Sequence, residues 1–202
     1  MKRSREEEND KYSKRIKNDN KYATFIEGRL YYGELENDKP HGNGVLFYND
    51  SKVAYKGEWK DGNKHGKGQS YNDNGKLYYN GEWKDNKING EGIMNTYEGI
   101  LYYAGEFKDN EFHGKGVLYH TNGNIKYTGD YVNDKMHGYG KLYYENQYLI
   151  YIGSFKYHQY DGQGKLYRLD TILRKHYVVY KGNFTNGKYN GEGIVYYDNS
   201  KV

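Results

Sequence analysis

Three sets of residues in this 202-residue chain recur at fixed intervals, and each has a chemistry it could serve. A G-x-G occurs seven times, at Gly42/Gly44, Gly66/Gly68, Gly90/Gly92, Gly114/Gly116, Gly138/Gly140, Gly162/Gly164 and Gly191/Gly193. Such glycines cradle a phosphate when a helix follows and points its amides at the anion. Here strand-type alternation follows every pair, as in "GKGQSY" from Gly66, so the glycines read as packing rather than a nucleotide loop. His41, His65, His113 and His137 stand just before the second glycine of their units, which suggests a metal ladder. Strand spacing puts neighbouring members about 10 Å apart, whereas zinc ligands must each lie about 2 Å from the ion. Asn89, Asp161 and Asn190 take the same place in other units, so a small polar group beside a turn is the shared property. The acidic column Glu34, Glu58, Glu82, Glu106 and Asp130 raises paired-carboxylate catalysis. These groups too are a full unit apart, beyond the widest glycosidase separation of about 9.5 Å, and read as a solvated sheet face. No nucleophile sits beside a base. The reading is therefore no enzyme, no cofactor and no metal.

The spacing itself comes from a repeat. The tyrosine of a Y-x-G stands at Tyr31, Tyr55, Tyr79, Tyr103, Tyr127, Tyr151 and Tyr180, at intervals of 24 residues five times and then 29. After each, the second glycine follows the first by nine residues and the third by two more, which places 21 of the 27 glycines. Within a unit the period is two, the mark of a strand. In "VAYKGEWK", Val53, Tyr55, Gly57 and Trp59 share one face, and Ala54, Lys56, Glu58 and Lys60 the other. Four polar residues such as "DGNK" join each outgoing strand to its return, and "NDNG" or "HTNG" turns lead to the next unit. Each unit is thus expected to be a β-hairpin in an antiparallel meander.

Closing the hairpin around a four-residue loop puts Trp59 opposite Gly66, Gly57 opposite Gly68 and Tyr55 opposite Ser70. Each ring then lies across bare backbone on the adjoining strand, which explains glycine where it weakens strand propensity. The repeated core is Tyr55, Gly57, Trp59, Gly66 and Gly68, then Tyr79, Gly81, Trp83, Gly90 and Gly92, then Tyr103, Gly105, Phe107, Gly114 and Gly116. One hairpin buries too few rings to offset the entropy of ordering it, so neighbours must complete its core. At about 10 Å per unit, seven units predict a rod of roughly 65 to 70 Å.

Composition agrees. Hydrophobic residues make up 35%, and Tyr (28) far outnumbers Phe (6) and Trp (2), so amphipathic rings replace an aliphatic core. One proline rules out extended Pro-rich linkers, and zero cysteine excludes disulfides and thiolate zinc sites. No apolar run approaches the roughly 20 residues of a membrane span, and "MKRSREEEND" lacks a signal-peptide core. A net charge of +4 with interspersed signs does not indicate nucleic acid.

The pattern Y-x-G-E-W-x-x-x-x-x-x-G-x-G, seen in "YKGEWKDGNKHGKGQSY", "YNGEWKDNKINGEGIMN" and "YAGEFKDNEFHGKGVLY", resembles the MORN (membrane occupation and recognition nexus) repeat from residue 31 onward. The resemblance implies an elongated, twisted, single-layer all-β sheet of hairpins. It also implies roles in protein interaction, self-association, acidic-phospholipid binding and membrane tethering, or as accessory segments of lipid kinases and methyltransferases. The expected organisation is a charged disordered tail (1–20), a capping strand and turn (21–30), and repeats at 31–53, 55–77, 79–101, 103–125, 127–149, 151–173 and 180–202. Five extra residues form a protruding loop over 168–179.

Two features are expected to bind partners. Phe47, Tyr71, Tyr119, Tyr143, Tyr167 and Tyr196 fall opposite the core rings as an exposed aromatic stripe fit for a protein or a lipid-headgroup boundary. Arg168, Arg174 and Lys175 on the inserted loop would meet phosphates. The leading expectation is a non-catalytic scaffold for a protein partner, or a homodimer through the last strand near Ile194–Tyr197. A peripheral tether for acidic phospholipids or phosphoinositides, and a regulatory subunit of a lipid kinase or methyltransferase, are the alternatives. The location expected is intracellular, cytoplasmic or membrane-associated, with the basic pairs at Lys2–Arg3 and Lys14–Lys17 offering a nuclear reading.

Overall fold

The computed structural model describes residues 22–170 and 175–197. The tail 1–20, its basic pairs and Arg174 lie outside the described residues. Every regular element among those described is a strand, so the class is all-β. The chain divides between Gly99 and Ile100 into two units. The first holds β1 (Tyr22–Ile26), β2 (Arg29–Glu36), β3 (Lys39–Phe47), β4 (Val53–Lys60), β5 (Asn63–Tyr71), β6 (Leu77–Lys84) and β7 (Lys87–Asn95). The second holds β8 (Leu101–Lys108), β9 (Glu111–Tyr119), β10 (Ile125–Val132), β11 (Lys135–Tyr143), β12 (Leu149–Lys156), β13 (Gln159–Asp170), β14 (Lys175–Thr185) and β15 (Lys188–Val195). Within each unit, consecutive strands pair antiparallel in chain order.

The hairpins close differently from the four-residue loop expected. Lys60 pairs with Asn63, leaving only Asp61 and Gly62 as the turn. Both have positive φ, 50° and 88°, the type I′ geometry whose twist suits two-residue hairpins and favours Asp, Asn and Gly. The register then slips. Gly57 faces Gly68, but Trp59 faces Lys64 rather than Gly66, so Glu58 alone stands against His65, Gly66 and Lys67. Gly66 takes the strain of this bulge with φ +57°. Trp59 instead lies opposite Gly42 of the preceding hairpin, as Trp83 lies opposite Gly66. The ring is an inter-repeat residue.

The insertion between the sixth and seventh units is also not a loop over 168–179. Arg168 pairs with Tyr177, Leu169 with His176 and Asp170 with Lys175, so the extra residues lengthen β13 and β14. Alternating Tyr, Leu and Val on both arms continue the strand period, and ladder pairing captures them. Along the other edge of the first unit, connecting turns hold one another. The Tyr48 hydroxyl donates to the Tyr71 carbonyl at 2.7 Å, and the side-chain amides of Asn72 and Asn74 both donate to the Tyr97 carbonyl.

Candidate interaction surface

The frame of each unit is a tyrosine lying along its strand. The Tyr55 hydroxyl donates to the Glu58 carbonyl at 3.0 Å, and the equivalent bond recurs in all seven repeats at 2.8 to 3.1 Å. Its ring spans the third glycine of the unit. A methyl on Gly68 would collide with the Tyr55 hydroxyl and ring carbons, so glycine there serves close approach, whereas Gly66 serves backbone conformation. The seven tyrosines are fully or almost fully buried. Burial, and then the nearby Glu34, Glu58 or Glu106 carboxylate, pushes the Tyr31, Tyr55 and Tyr103 hydroxyls far above the ordinary phenol range. They remain neutral donors.

The second ring of each repeat fills the space between tyrosines. Trp59 meets Tyr31 and Tyr55 edge-on at centroid distances of 5.3 and 5.1 Å, and Trp83 meets Tyr55 and Tyr79 at 5.3 Å. Indole N–H groups donate to the carbonyls of Gly44 (3.3 Å) and Gly68 (3.2 Å) in the preceding hairpin. In the second unit Phe107, Tyr131, Phe155 and Phe184 take these places. The expected core thus assembles, although Trp59 and Trp83 cross to a neighbour rather than closing their own hairpins.

The acidic column does structural work at the bulge rather than merely facing solvent. The Glu58 carboxylate accepts from the Lys67 backbone N–H at 2.9 Å. Glu34 accepts likewise from Asn43, Glu106 from Lys115 and Asp130 from Tyr139. Glu58 and Glu106 stand across from Lys67 and Lys115, and their carboxylates bond to the main-chain amides of those residues, which the bulge turns toward them. The Lys115 ammonium instead pairs with Asp130 of the next repeat. Of the histidine column, His41 Nδ1 lies 3.0 Å from Glu36 and 4.0 Å from Asp61, and His65 Nδ1 3.6 Å from Asp85. Each meets carboxylates at the hairpin turns.

The expected aromatic stripe is half-buried, not exposed. Phe47, Tyr71, Tyr119, Tyr143 and Tyr167 are each partly covered, and a second register shift falls at this point of each return strand. Tyr71 donates to Gln69, Tyr167 stacks on His176 at 5.0 Å, and His120 Nε2 lies 3.1 Å from the Tyr143 carbonyl. Tyr196 is exposed as expected. Among the described residues, the rings most open to solvent lie elsewhere, at Phe25, Tyr97, Tyr139, Tyr157 and Tyr197. Arg168 and Lys175 are both exposed, on the extended β13–β14 hairpin.

Among the described residues, the open surfaces include three. On the face away from the core tyrosines, the first unit has a shallow groove of about 360 Å³ floored by Gly44, Gly57 and Gly68 and flanked by Tyr32, Lys56 and Lys67. The second has a counterpart of about 440 Å³ flanked by Lys115, Tyr139 and Lys141. The third surface is β15, whose every residue is exposed, with Ile194 at 55%. Sequence reasoning missed Lys64, which sits among the core rings. Its trace was available nine residues after each Y, where the other units carry Pro40, Ile88, Phe112, Met136, Tyr160 and Tyr189, none of them charged.

The profile of the MORN repeat matches seven times, at residues 31–53, 55–76, 79–95, 103–125, 127–147, 151–168 and 180–202. No curated protein matches the chain. The MORN repeat is a binding module, generally associated with protein or membrane-lipid interaction, and not an enzyme family. With the tyrosine–glycine frame present in every matched segment, the chain belongs to the MORN repeat family.

Proposed function

We propose that this protein is a non-catalytic scaffold that binds a protein partner, and a second copy of itself, through its sheet. One observation carries the reading. The strand β15 pairs with β14 and, among the described strands, with no other, while all of its residues are exposed. Its outer backbone groups and the apolar Ile194, Val195 and Tyr189 form a template for strand addition. A second β15 placed antiparallel would bury the same patch from both copies, the self-complementary arrangement of a two-fold dimer. Light scattering across a concentration series tests this. The wild type is expected to gain mass with concentration, and the pair Ile194→Lys with Tyr196→Lys to hold it at the monomer. A strict monomer at high concentration overturns self-association.

A second reading is supported by Arg168 and Lys175, exposed on one extended hairpin. Two cations contribute about 1 kcal/mol each near an anionic surface, so the interaction is weak and screened by salt. Flotation with acidic vesicles should fall with salt and with Arg168→Gln and Lys175→Gln. Equal flotation with neutral vesicles would count against it.

A further inference from the structure

Lys64 occupies a place that the other six hairpins give to an uncharged side chain. In the second unit the equivalent residue lies flat on the repeat tyrosine: Phe112 on Tyr103 at 3.8 Å, Tyr160 on Tyr151 at 3.9 Å and Tyr189 on Tyr180 at 3.9 Å. Met136 and, in the first unit, Pro40 and Ile88 fill the same slot with aliphatic groups. Lys64 brings an ammonium instead, with Nζ 5.0 Å from the Tyr55 ring centroid and 4.9 Å from that of Trp83.

The surroundings of that ammonium are specific. Two ring faces attract the charge. Among the described residues, no carboxylate pairs with Nζ and no oxygen accepts from it, and the charged group felt most nearby is another cation, Arg29. An ammonium has three donors that need acceptors, and this slot offers π faces in their place. A methylated ammonium keeps the charge that the rings hold, replaces donors with methyl groups, and fills the slot as the Met136 side chain does. It is also more weakly hydrated, so entering the slot costs it less.

We propose that Lys64 is a methylation site, and that Tyr55 and Trp83 form an intramolecular cage that holds the methylated side chain. The transfer requires a sulfonium methyl donor and a separate methyltransferase. Nζ first loses a proton to solvent, and its lone pair then attacks the methyl carbon. An N–C bond forms while the C–S bond breaks with its electron pair passing to sulfur, leaving a neutral thioether. Repeating the step gives the di- and trimethylated forms. Burial and Arg29 hold the Lys64 ammonium below the ordinary lysine range, which raises the share of free amine available to attack. Retained in the cage, the product ties β5 to Trp83 of β6 and so fastens the second repeat to the third.

Two measurements on the full chain test the proposal. In the first, every lysine is dimethylated with 13C-formaldehyde and a borane reductant, and the methyl resonances are recorded. One dimethylamino signal is expected far upfield of the others, displaced by the ring currents of Tyr55 and Trp83. It should be absent from Lys64→Arg and return toward the free-lysine position in Trp83→Leu. All signals clustering at the free-lysine position would overturn the cage, and the near-wild-type circular dichroism of Lys64→Arg provides the folding control. In the second, mass spectrometry of the protein isolated from its native cells should find the Lys64 peptide heavier by one to three methyl groups. An unmodified Lys64 throughout that sample overturns the assignment.

Discussion

The two units share one tyrosine–glycine frame and fill it in different ways. In the first unit the cross-strand pairs beyond the bulge are Leu35 with Pro40, Trp59 with Lys64 and Trp83 with Ile88. In the second they are Phe107 with Phe112, Tyr131 with Met136, Phe155 with Tyr160 and Phe184 with Tyr189. Each bicyclic ring meets a non-aromatic partner and each phenylalanine a flat ring that stacks on the tyrosine, while Tyr131 with Met136 and Leu35 with Pro40 follow neither pattern. In the other five pairs two side chains divide the space beside the repeat tyrosine between them. Close packing demands such compensation, since a void or an overlap is felt at the scale of one methylene. The division has a polar consequence too. Indole donors reach the Gly44 and Gly68 carbonyls, whereas the smaller rings of the second unit have no donor, except for Tyr131.

The sharpest way to break this comparison is to attack the frame itself, which should respond alike in both units. Gly68→Ala in the first and Gly164→Ala in the second each drive a methyl into the ring of the repeat tyrosine, Tyr55 or Tyr151. Each is expected to destabilise its unit by about 3 kcal/mol. Gly123→Ala is the control, at φ +84° with open space around it, and should cost only about 1 kcal/mol of backbone strain. Both tryptophans lie in the first unit, so fluorescence excited at the indole band reports that unit while far-ultraviolet circular dichroism reports both. A tolerant Gly164 beside an intolerant Gly68 would mean that the frame is not shared.

A smaller effect tests the trade between ring and slot. Trp83→Phe empties half of an indole and removes the bond to Gly68, which should cost about 2 kcal/mol. Adding Ile88→Phe recreates the pair found at Phe107 and Phe112, and is expected to recover about 1 kcal/mol of that loss. Chemical denaturation of the two single variants and the double gives the coupling. Strict additivity would show that slot and ring are independent.

Much of the frame was legible in the sequence because it is written as spacing. The Y-x-G and G-x-G positions, strand period and hairpin order all follow from counting residues, and the rings do lie on bare backbone. The slot and the bulge were not legible in the same way. A simple two-residue alternation carried through Gly66 assumes unbroken pleating, yet a left-handed glycine inserts residues and returns Lys64, not Gly66, to the side of Trp59. The same bulge explains why Glu58 bonds to a main-chain amide. At the insertion, polar and basic residues suggested a loop, but Tyr167, Leu169, Tyr177 and Val179 keep the alternation that ladder pairing needs. The rings from Phe47 to Tyr167 have more cover than alternation alone suggests.

Within the second unit, Tyr131 departs from its phenylalanine counterparts by one oxygen. That hydroxyl is buried and has no hydrogen-bond partner among the described residues, whereas the Tyr127 hydroxyl donates to the Asp130 carbonyl at 3.1 Å. Tyr131→Phe removes an unsatisfied polar group and should raise stability by about 1 kcal/mol; Tyr127→Phe removes a made bond and should lower it by about as much. Opposite signs from the same chemical change would confirm that the second ring position tolerates a donor only where a carbonyl waits for it. Thermal melts of the two variants suffice to compare them.

The finest distinction lies at the bulge. In the first unit the Glu58 carboxylate accepts from the Lys67 amide, while the corresponding residue of the sixth repeat is Ser154, which carries no charge to offer. Glu58→Gln preserves the shape of the acceptor and removes its charge, so a charge-assisted bond becomes a neutral one. The expected loss is about 0.5 kcal/mol, since the pair is exposed to water. Ser154→Ala should change nothing measurable, because Gly162 there adopts φ +95° in place of the +57° at Gly66 and its bulge stands without a carboxylate. Amide exchange at Lys67 resolves an effect of this size locally. Protection there should fall in Glu58→Gln and hold in the wild type, and unchanged protection in the variant would mean that the bulge is fixed by Gly66 alone.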